Sequence, residues 1–155
     1  MKGSQTKAPI IRPMEISDVP EAARLEEETF SMPWKESDFI EMIEAPYAHF
    51  FVADDDGRIV GILGLRDLSG EGEITNVAVS KDCRKRGIGS LLVSRAVEES
   101  KSLGIGDLTL EVRVSNEAAI RLYDKFGFKS EGIRPGFYEK PVEDALILWR
   151  RTGLC

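Results

Sequence analysis

The chain has 155 residues, 42% of them hydrophobic, which is the size and composition of one globular domain with one core. Its formal net charge of −6 gives no overall reason to bind nucleic acid or an anionic membrane directly, although an acidic surface suits a basic peptide. Cys83 and Cys155 are too far apart in the sequence to suggest a disulfide framework or a metal pair. The sequence has no long apolar run and no secretory signal, which predicts a cytoplasmic protein without membrane contact.

The first part of the chain predicts one strand and two helices. Residues 1–9 are polar and are expected to form a flexible segment, after which a short strand begins at Ile10. Ser17 or Asp18 can cap the first helix, because their side chains accept hydrogen bonds from backbone N–H groups. A second helix is predicted over residues 35–44.

The middle of the chain predicts a β-hairpin followed by a third strand. Residues 49–53 and 59–65 are rich in β-forming side chains, and the Asp-Asp-Asp-Gly sequence of residues 54–57 separates them. Residues 73–79 form the next predicted strand. These elements indicate an antiparallel arrangement in the first half of a sheet.

The second half of the chain predicts a strand between two helices. The first helix is expected to end near Gly104, the strand alternates apolar residues over 108–112, and Asn116 can cap a helix that Gly127 ends. Two further strands close the fold, at residues 128–133 and 145–149, before a tail at 151–155. The order of elements indicates a mixed α/β sheet with a central strand-helix-strand crossover.

A basic segment with two glycines follows the strand at 73–79. Three cations at residues 84–86 precede Gly87 and Gly89, which lie at the start of an apolar helix. Glycines let backbone N–H groups approach an anion, the helix N-terminus adds partial positive charge, and the cations add charge-assisted hydrogen bonds. The segment therefore predicts a phosphate site.

Two well-known phosphate motifs do not fit this segment. A nucleotide-hydrolase loop would end in Gly-Lys-Ser/Thr, and a dinucleotide-binding fold would have a third glycine at the position of Leu92. Taken alone, the segment could also be a solvated basic turn with a glycine cap.

The signature Arg/Gln-x-x-Gly-x-Gly/Ala between a strand and a helix is met by Arg84, Gly87 and Gly89. In this signature, and in the sequence on both sides of it, the chain resembles the GNAT superfamily of acetyltransferases. The resemblance extends over residues 10–149. It implies a single α/β domain at 10–150, with a mostly antiparallel central sheet, a central crossover and flanking helices.

The resemblance implies that acetyl-coenzyme A is the cosubstrate and that no metal is used. In the family, the pyrophosphate of coenzyme A lies on the loop amides, and the pantetheine arm pairs with the preceding strand. Asn116 is expected to contact the cofactor, although a helix cap alone would also explain this residue. The implied cofactor-binding residues are Val77, Ala78, Val79, Arg84, Lys85, Arg86, Gly87, Ile88, Gly89, Ser90 and Asn116.

Within the superfamily, the chain looks like the RimI type, which acetylates the N-terminal alanine of a small-subunit ribosomal protein. This resemblance depends on residues 30–34, 110–116 and 134–145. It implies direct acetyl transfer in a ternary complex with coenzyme A and the N-terminal peptide of a ribosomal protein.

Acetyl transfer to an amine requires a free nitrogen lone pair, a donor to the developing oxyanion, and protonation of the departing thiolate. By resemblance, Glu111 matches the general base, and Tyr123 matches the acid that protonates the coenzyme A sulfur. A backbone N–H near residues 77–79 is expected to polarise the thioester carbonyl. Without the resemblance, Glu111 would be an ordinary strand residue and Tyr123 a core aromatic, and core packing is compatible with presenting a hydroxyl.

Trp34 and Tyr138 are expected to bind the acceptor peptide, because the Pro-Trp region and the loop at 134–138 border the cleft of the RimI type. Each has a plain alternative, with Trp34 in the core and Tyr138 on an exposed loop. The family often places two adjacent tyrosines in this loop, whereas Phe137 replaces the first of them here.

Two other features receive no functional role. The acidic run at 26–28 is expected to be a solvated helix face, with substrate recognition as the alternative that stays open, and His49 is expected to be structural. Two other functions compete with the main prediction. One is an acetyltransferase of the same fold with another acceptor, such as other protein N-termini, lysine or a small amine. The other is a non-catalytic coenzyme A-binding module, against which Glu111 and Tyr123 argue.

Overall fold

The computed structural model describes residues 7–152, so the predictions for residues 1–6 and 153–155 lie outside the described residues. The strands are β1 (Ile10–Pro13), β2 (Ala48–Asp55), β3 (Arg58–Leu68), β4 (Glu71–Val79), β5 (Leu108–Arg113), β6 (Lys129–Glu139) and β7 (Val142–Arg150). The helices are α1 (Val19–Thr29), α2 (Glu36–Glu44), α3 (Ile88–Ser102) and α4 (Glu117–Lys125). Among the helices of this range, none combines the length and apolar character needed to cross a bilayer.

The strands form one seven-stranded sheet in the order β1-β2-β3-β4-β5-β7-β6. Neighbouring strands are antiparallel except β4 and β5, which are parallel and are joined by α3. A parallel pair needs such a crossover because the chain must return to the same end of the sheet. The predicted mixed α/β fold, mostly antiparallel with a central crossover, is therefore confirmed.

The parallel pair separates after its first two residues. β4 and β5 pair at Gly72 with Leu108 and at Glu73 with Thr109, and the rest of each strand is unpaired on that side. On their other sides, β4 stays paired with β3 as far as Val79, and β5 stays paired with β7. The sheet therefore contains a gap, bordered by one free backbone edge from each strand. We refer to it as the β4–β5 gap.

A β-bulge in β4 lies where the gap opens. Gly64 of β3 pairs with Asn76 and Leu65 pairs with Ile74, which leaves Thr75 as an extra residue. A bulge bends its strand and increases the local twist, which accounts for the separation of β4 from β5. It also changes which face the side chains occupy, because Ile74 packs against the α3 core whereas Ala78 packs against the α1 and α2 core.

Two hydrophobic cores lie on opposite faces of the sheet. One includes Leu92 and Ala96 of α3, with α4 packed against it, and the other includes Leu25 of α1 and Phe39 of α2. These apolar residues recur at helical spacing and bury one face of each helix, as the sequence pattern predicts. The helices therefore cover both faces of the sheet and leave the β4–β5 gap between them.

The predicted hairpin of β2 and β3 is confirmed. Asp56 and Gly57 both have positive φ, at 54° and 95°, which is the conformation that a two-residue hairpin turn requires. Asp54 Oδ1 accepts a hydrogen bond of 2.7 Å from the Gly57 N–H. The turn thus satisfies its own backbone.

Asp18 occupies the predicted N-cap position of α1, but its carboxylate does not cap that helix. It accepts hydrogen bonds from Arg12 Nη1 and from the Glu15 N–H, both at 2.8 Å. The guanidinium and amide are stronger partners than a distant helix N–H, and the Arg12 hydrogen bond holds the pKa of Asp18 below its usual range.

The first residues of the predicted tail are attached to the folded domain. Arg151 Nη1 lies 3.0 Å from Asp107 Oδ2, and the Thr152 N–H donates to Asp107 Oδ1 at 3.0 Å. Arg151 also pairs with Glu131 on β6. The folded region therefore continues at least to Thr152.

Candidate active site

The start of α3 offers free backbone donors. Gly87 precedes the helix in the left-handed conformation, with φ of 77°, and no atom lies within 4 Å of the position that a Cβ would take there. In the described part of the chain, the backbone N–H groups of residues 87–90 donate to no other group. Open space in front of unpaired N–H groups at a helix N-terminus is the geometry that binds a phosphate.

Two of the three predicted cations are available beside these amides. Arg84 and Lys85 are exposed and form no ion pair within residues 7–152. Arg86 is instead held by Asp55 Oδ2 at 3.2 Å and by the Lys7 carbonyl at 3.3 Å. The free positive charge of the segment therefore comes from Arg84 and Lys85.

Helix α4 forms a second wall beside the start of α3. A Cβ on Gly89 would lie 3.1 Å from Leu122 Cδ2, so glycine allows the two helices to approach closely. Lys125 Nζ lies 3.2 Å from Ser90 Oγ. An open cleft of about 660 Å³ is lined by Ala118, Ile120, Arg121, Leu122, Asp124 and Lys125.

The cations of α4 were not identified from the sequence. Arg121 and Lys125 belong to no motif, and the available signal was their spacing of four residues, which places two cations on one helical face. Asn116 caps the same helix as predicted, since its side chain accepts a 3.2 Å hydrogen bond from the Ala119 N–H. Its contact with a cofactor remains a prediction.

The free edge of β4 lies between the phosphate-binding amides and the rest of the site. Val77 and Val79 are half-buried on the α3 face, and Ala78 is buried against α1 and α2. Their side chains are thus used for packing. Successive residues of a strand direct their backbone groups to opposite edges, so part of this backbone pairs with β3 and the rest faces the gap. An extended ligand with amide groups can bind such an edge as an added strand.

Glu111 lies on β5, across the gap from β4. Leu110 and Val112 point into the α3 core, so strand alternation places Glu111 on the face that α1 and α2 cover. Its side chain is 20% exposed, with Arg134 Nε 2.9 Å from Oε2. This contact lacks hydrogen-bond alignment, and Oε2 accepts no hydrogen bond within residues 7–152.

The surroundings of Glu111 favour a proton acceptor. Burial raises the pKa of Glu111 above its usual range, Arg134 lowers it, and the nearby Glu73 carboxylate raises it. A carboxylate with a raised pKa and an unused acceptor atom is a stronger base than an exposed one. Of the plain alternatives, a solvent-facing strand residue does not describe this position, whereas an ion-paired strand residue does, through Arg134. The base role of Glu111 stays a prediction.

Tyr123 lies on the apolar stripe of α4, as predicted. The residue is 6% exposed, and its ring centroid is 5.7 Å from that of Phe128. Burial raises the pKa of the Tyr123 hydroxyl well above its usual range, with a further contribution from Tyr138. No hydrogen bond engages this hydroxyl within the described residues, so it stays protonated and free to donate.

Tyr138 lies on the same side of the gap as Glu111. The Arg113 guanidinium stacks 4.4 Å from its ring centroid, and the Phe137 ring is 5.0 Å away. Burial raises the pKa of Tyr138 to about 12, and the Glu111 carboxylate contributes to this increase. Electrostatic coupling therefore connects Tyr138 with both predicted catalytic residues.

The prediction of a loop at 134–138 is wrong. These residues belong to β6, which pairs with β7 on both sides of an irregularity between Arg134 and Tyr138. Gly136 has φ of 60°, and its N–H donates to Asp144 Oδ1 at 2.9 Å. Pairing with β7 stabilises this segment as a strand, which its sequence alone did not predict.

Arg113 joins two parts of the site, and the sequence did not identify this role. It donates to the Pro141 carbonyl at 2.9 Å and to Glu143 Oε1 at 3.1 Å, at the turn between β6 and β7. Its Nη2 also lies 3.5 Å from Ser31 Oγ, in the segment of residues 30–35 between α1 and α2. We call residues 30–35 the acceptor segment.

Trp34 belongs to the acceptor segment but also packs in the core. Its ring lies 5.4 Å from Phe39 and 5.6 Å from Phe50, and the residue is half-buried. The core alternative is thus satisfied by these contacts. A contact of Trp34 with an acceptor stays a prediction.

The prediction of a solvated face is wrong for Glu26. Glu26 is only 2% exposed, whereas Glu27 and Glu28 are exposed as expected. The helical repeat explains the difference, because Glu26 lies four residues after the buried Ala22. Its role is considered further below.

Of the two predicted catalytic residues, Glu111 lies on a strand that borders the β4–β5 gap, and Tyr123 lies in the α3 core. Glu111 and Tyr138 lie on the α1 and α2 face, Tyr123 belongs to the α3 core, and the free amides begin at Gly87. The described residues contain no group of His, Cys, Asp or Glu side chains arranged to hold a metal ion.

Comparison with known proteins gives the same family throughout. The acetyltransferase (GNAT) family matches residues 19–128. A Bacillus subtilis protein, provisionally named a ribosomal protein bS18-alanine N-acetyltransferase, is 40% identical over 94% of this chain and 96% of its own length. The Escherichia coli K12 enzyme of that name is 31% identical over 89% of this chain and 94% of its own length.

A solved structure agrees with these relatives. The ribosomal-protein-S18-alanine N-acetyltransferase from Escherichia coli superposes with a TM-score of 0.86 and 29% identity, over 94% of this chain and 95% of that one. The family match covers more than half of the chain and includes β4, the glycine segment, Glu111 and Tyr123. The chain therefore belongs to the GNAT family of acetyltransferases.

Proposed function

We propose that the protein transfers an acetyl group from acetyl-coenzyme A to the N-terminal amine of a protein, with the N-terminal alanine of a ribosomal protein as its acceptor. The observation that carries the proposal is the β4–β5 gap, with the partly buried carboxylate of Glu111 on its border and the buried Tyr123 in the α3 core. The relatives named for acetylation of ribosomal protein bS18 support the choice of acceptor.

The residues around the gap fit acetyl-coenzyme A. The free amides of residues 87–90, with Arg84 and Lys85, would hold its pyrophosphate, and Lys125 offers a further cation. The backbone of residues 77–79 would pair with the amides of its pantetheine arm. When bound, acetyl-coenzyme A supplies the acetyl group as an activated thioester.

Glu111 would remove a proton from the acceptor amine, directly or through one water molecule. An α-amine has a pKa near 8, so roughly a tenth is already neutral at pH 7, and deprotonation costs only about 1.4 kcal/mol. The amine nitrogen then bonds to the acetyl carbon as the carbon–sulfur bond breaks. Glu111 ends this step with one amine proton, and the second proton that the nitrogen loses as the amide forms would restore the Tyr123 hydroxyl after it has protonated the sulfur.

Tyr123 would donate its hydroxyl proton to the departing sulfur. Burial raises the pKa of Tyr123, so the hydroxyl is protonated at neutral pH and can act as a proton donor. A backbone N–H of residues 77–79 would stabilise charge on the carbonyl oxygen during the reaction. The two side chains thus supply base and acid from opposite faces of the sheet.

The acceptor peptide would lie on the α1 and α2 face, beside Glu111. Tyr138 offers a hydroxyl to the peptide backbone, and Arg113 holds its ring in place. Trp34 and the rest of the acceptor segment would form the opposite border. The formal charge of −6 suits the basic peptides that are common among ribosomal proteins.

An acceptor panel tests the proposal. The protein is incubated with acetyl-coenzyme A and with peptides that start with alanine, serine or methionine, beside lysine and polyamines. We expect the fastest transfer to the alanine peptide from bS18. Failure on every N-terminal peptide would refute the proposal, as would tight binding of acetyl-coenzyme A without transfer to any acceptor.

A further inference from the structure

Glu26 is a buried carboxylate that the proposed chemistry does not use. It lies on α1, is 2% exposed, and contacts neutral donors only. Oε1 accepts a 3.2 Å hydrogen bond from the Trp34 N–H and another of 3.2 Å from Asn76 Nδ2. Within residues 7–152, no cation pairs with it.

A buried charge without a counter-ion is costly to keep. Burial raises the pKa of Glu26, and the nearby Asp38 carboxylate on α2 raises it further, against the two hydrogen bonds. An uncharged side chain would relieve this cost. The persistence of the carboxylate therefore indicates a role in the arrangement of its partners.

The two partners of Glu26 belong to opposite borders of the proposed acceptor cleft. Trp34 is part of the acceptor segment, and Asn76 is on β4, next to the Val77 backbone. Asn76 and Glu111 occupy the same face of the sheet, on either side of the β4–β5 gap. Glu26 thus joins the acceptor side to the cofactor strand.

The Glu26 carboxylate makes the one backbone hydrogen bond in the middle of the acceptor segment. Within the described residues, the N–H groups of Ser31 and Met32 make no hydrogen bond, Pro33 has no N–H, and that of Trp34 donates to Glu26. Side-chain contacts hold the segment as well, among them the packing of the Trp34 ring against Phe39 and the contact of Ser31 with Arg113. β4, in contrast, is held by its ladder with β3 on both sides of Asn76. Loss of the carboxylate would therefore loosen the segment at the Trp34 backbone and leave the strand in place.

We infer that Glu26 is a positioning residue, which fixes the acceptor segment against β4 and thereby sets the width of the cleft for the acceptor peptide. The inference rests on the proposed function. The exposed Phe30 and Met32 side chains, 38% and 55% accessible, are the apolar surface that Glu26 holds at the cleft border. They would contact the first side chains of the peptide.

Three variants test the inference by steady-state kinetics with the alanine peptide and acetyl-coenzyme A. In Glu26→Leu, the KM for the peptide should rise about tenfold or more, because the segment loses its acceptor, while the KM for acetyl-coenzyme A changes less than about twofold. In Glu26→Gln, the amide oxygen can still accept the hydrogen bond from Trp34, and the amide nitrogen can donate to Asn76 Oδ1, which has no partner within residues 7–152. The KM of this variant for the peptide should therefore stay within about threefold of wild type. Glu27→Leu, on the exposed side of the same helix, is the matched control and should match wild type.

Trp34 fluorescence gives a second readout that does not depend on activity. With Trp149→Phe, Trp34 is the one remaining tryptophan of the chain, and its emission reports the position of the acceptor segment. Glu26→Leu in this background should shift the emission to longer wavelength, whereas Glu26→Gln should not. This experiment also separates the inference from the proposed function, because it works even if the wild-type protein acetylates no peptide.

Several outcomes would overturn the inference. An unchanged peptide KM and unchanged Trp34 emission in Glu26→Leu would show that the segment does not need the carboxylate. Equal losses for both substrates would indicate a general folding defect. A loss in Glu26→Gln as large as in Glu26→Leu would show that the charge, rather than the hydrogen bonds, is required.

Discussion

Replacement of Glu111 by Gln should weaken catalysis in a way that depends on pH. Gln keeps the size of the side chain but cannot accept the amine proton, and general bases typically contribute about 10²-fold or more. At pH 7 roughly a tenth of the α-amine is neutral, whereas at pH 9 roughly nine tenths is. The loss in kcat/KM should therefore shrink from about 10²-fold at pH 7 to about tenfold at pH 9.

The kcat/KM of the wild-type protein should decrease at acidic pH. Because burial raises the pKa of Glu111, its activity should fall as the pH decreases through that raised value, above the usual range of a glutamate. The assay is kcat/KM for the alanine peptide from pH 5.5 to 9.5, with Glu98→Gln on the exposed side of α3 as the control. An equal loss in Glu111→Gln at every pH would refute the base role.

Three further changes test other parts of the site. Tyr123→Phe should lower kcat roughly 10²-fold with both KM values within about threefold of wild type, and unchanged turnover would remove Tyr123 from the mechanism. Gly87→Ala places a side chain on a residue whose φ is 77°, so urea unfolding should show a free energy of unfolding that is lower by about 1 kcal/mol. The KM for acetyl-coenzyme A should also rise in steady-state kinetics. An unaltered KM would argue against the phosphate site. Burial raises the pKa of Glu26, so the wild-type protein loses stability as the pH rises through that raised pKa. Glu26→Gln should therefore gain stability relative to wild type as the pH rises above the usual glutamate range in urea unfolding, and a difference that is the same at every pH would contradict the assigned direction.

Most of the secondary structure follows from local patterns in the sequence. The hairpin turn at 54–57 needs positive φ at its centre, and the Asp-Gly pair supplies it. Asn116 caps α4 as predicted, because capping depends on residues within one helical turn. The signature at 84–89 likewise lies at the predicted junction of loop and helix.

Contacts between distant residues explain what the sequence did not predict. Glu26 resembles its neighbours Glu27 and Glu28 in the sequence, but only Glu26 meets Asn76, which is 50 positions further along the chain. The segment at 134–138 contains Pro and Gly and was predicted as a loop, yet its pairing with β7 makes it a strand. Neither outcome has a local signal.

The sequence by itself determined the fold class, and it predicted a phosphate-binding segment and the residue types available for acid and base chemistry, because these depend on short motifs and on hydrophobic periodicity. Only the tertiary structure decided how these parts meet. The bulge at Thr75 and the separation of β4 from β5 create the gap that Glu111 borders, while Tyr123 is buried in the core on the α3 face. Burial then sets the pKa of each group, and burial is a property of the whole packed chain rather than of any segment.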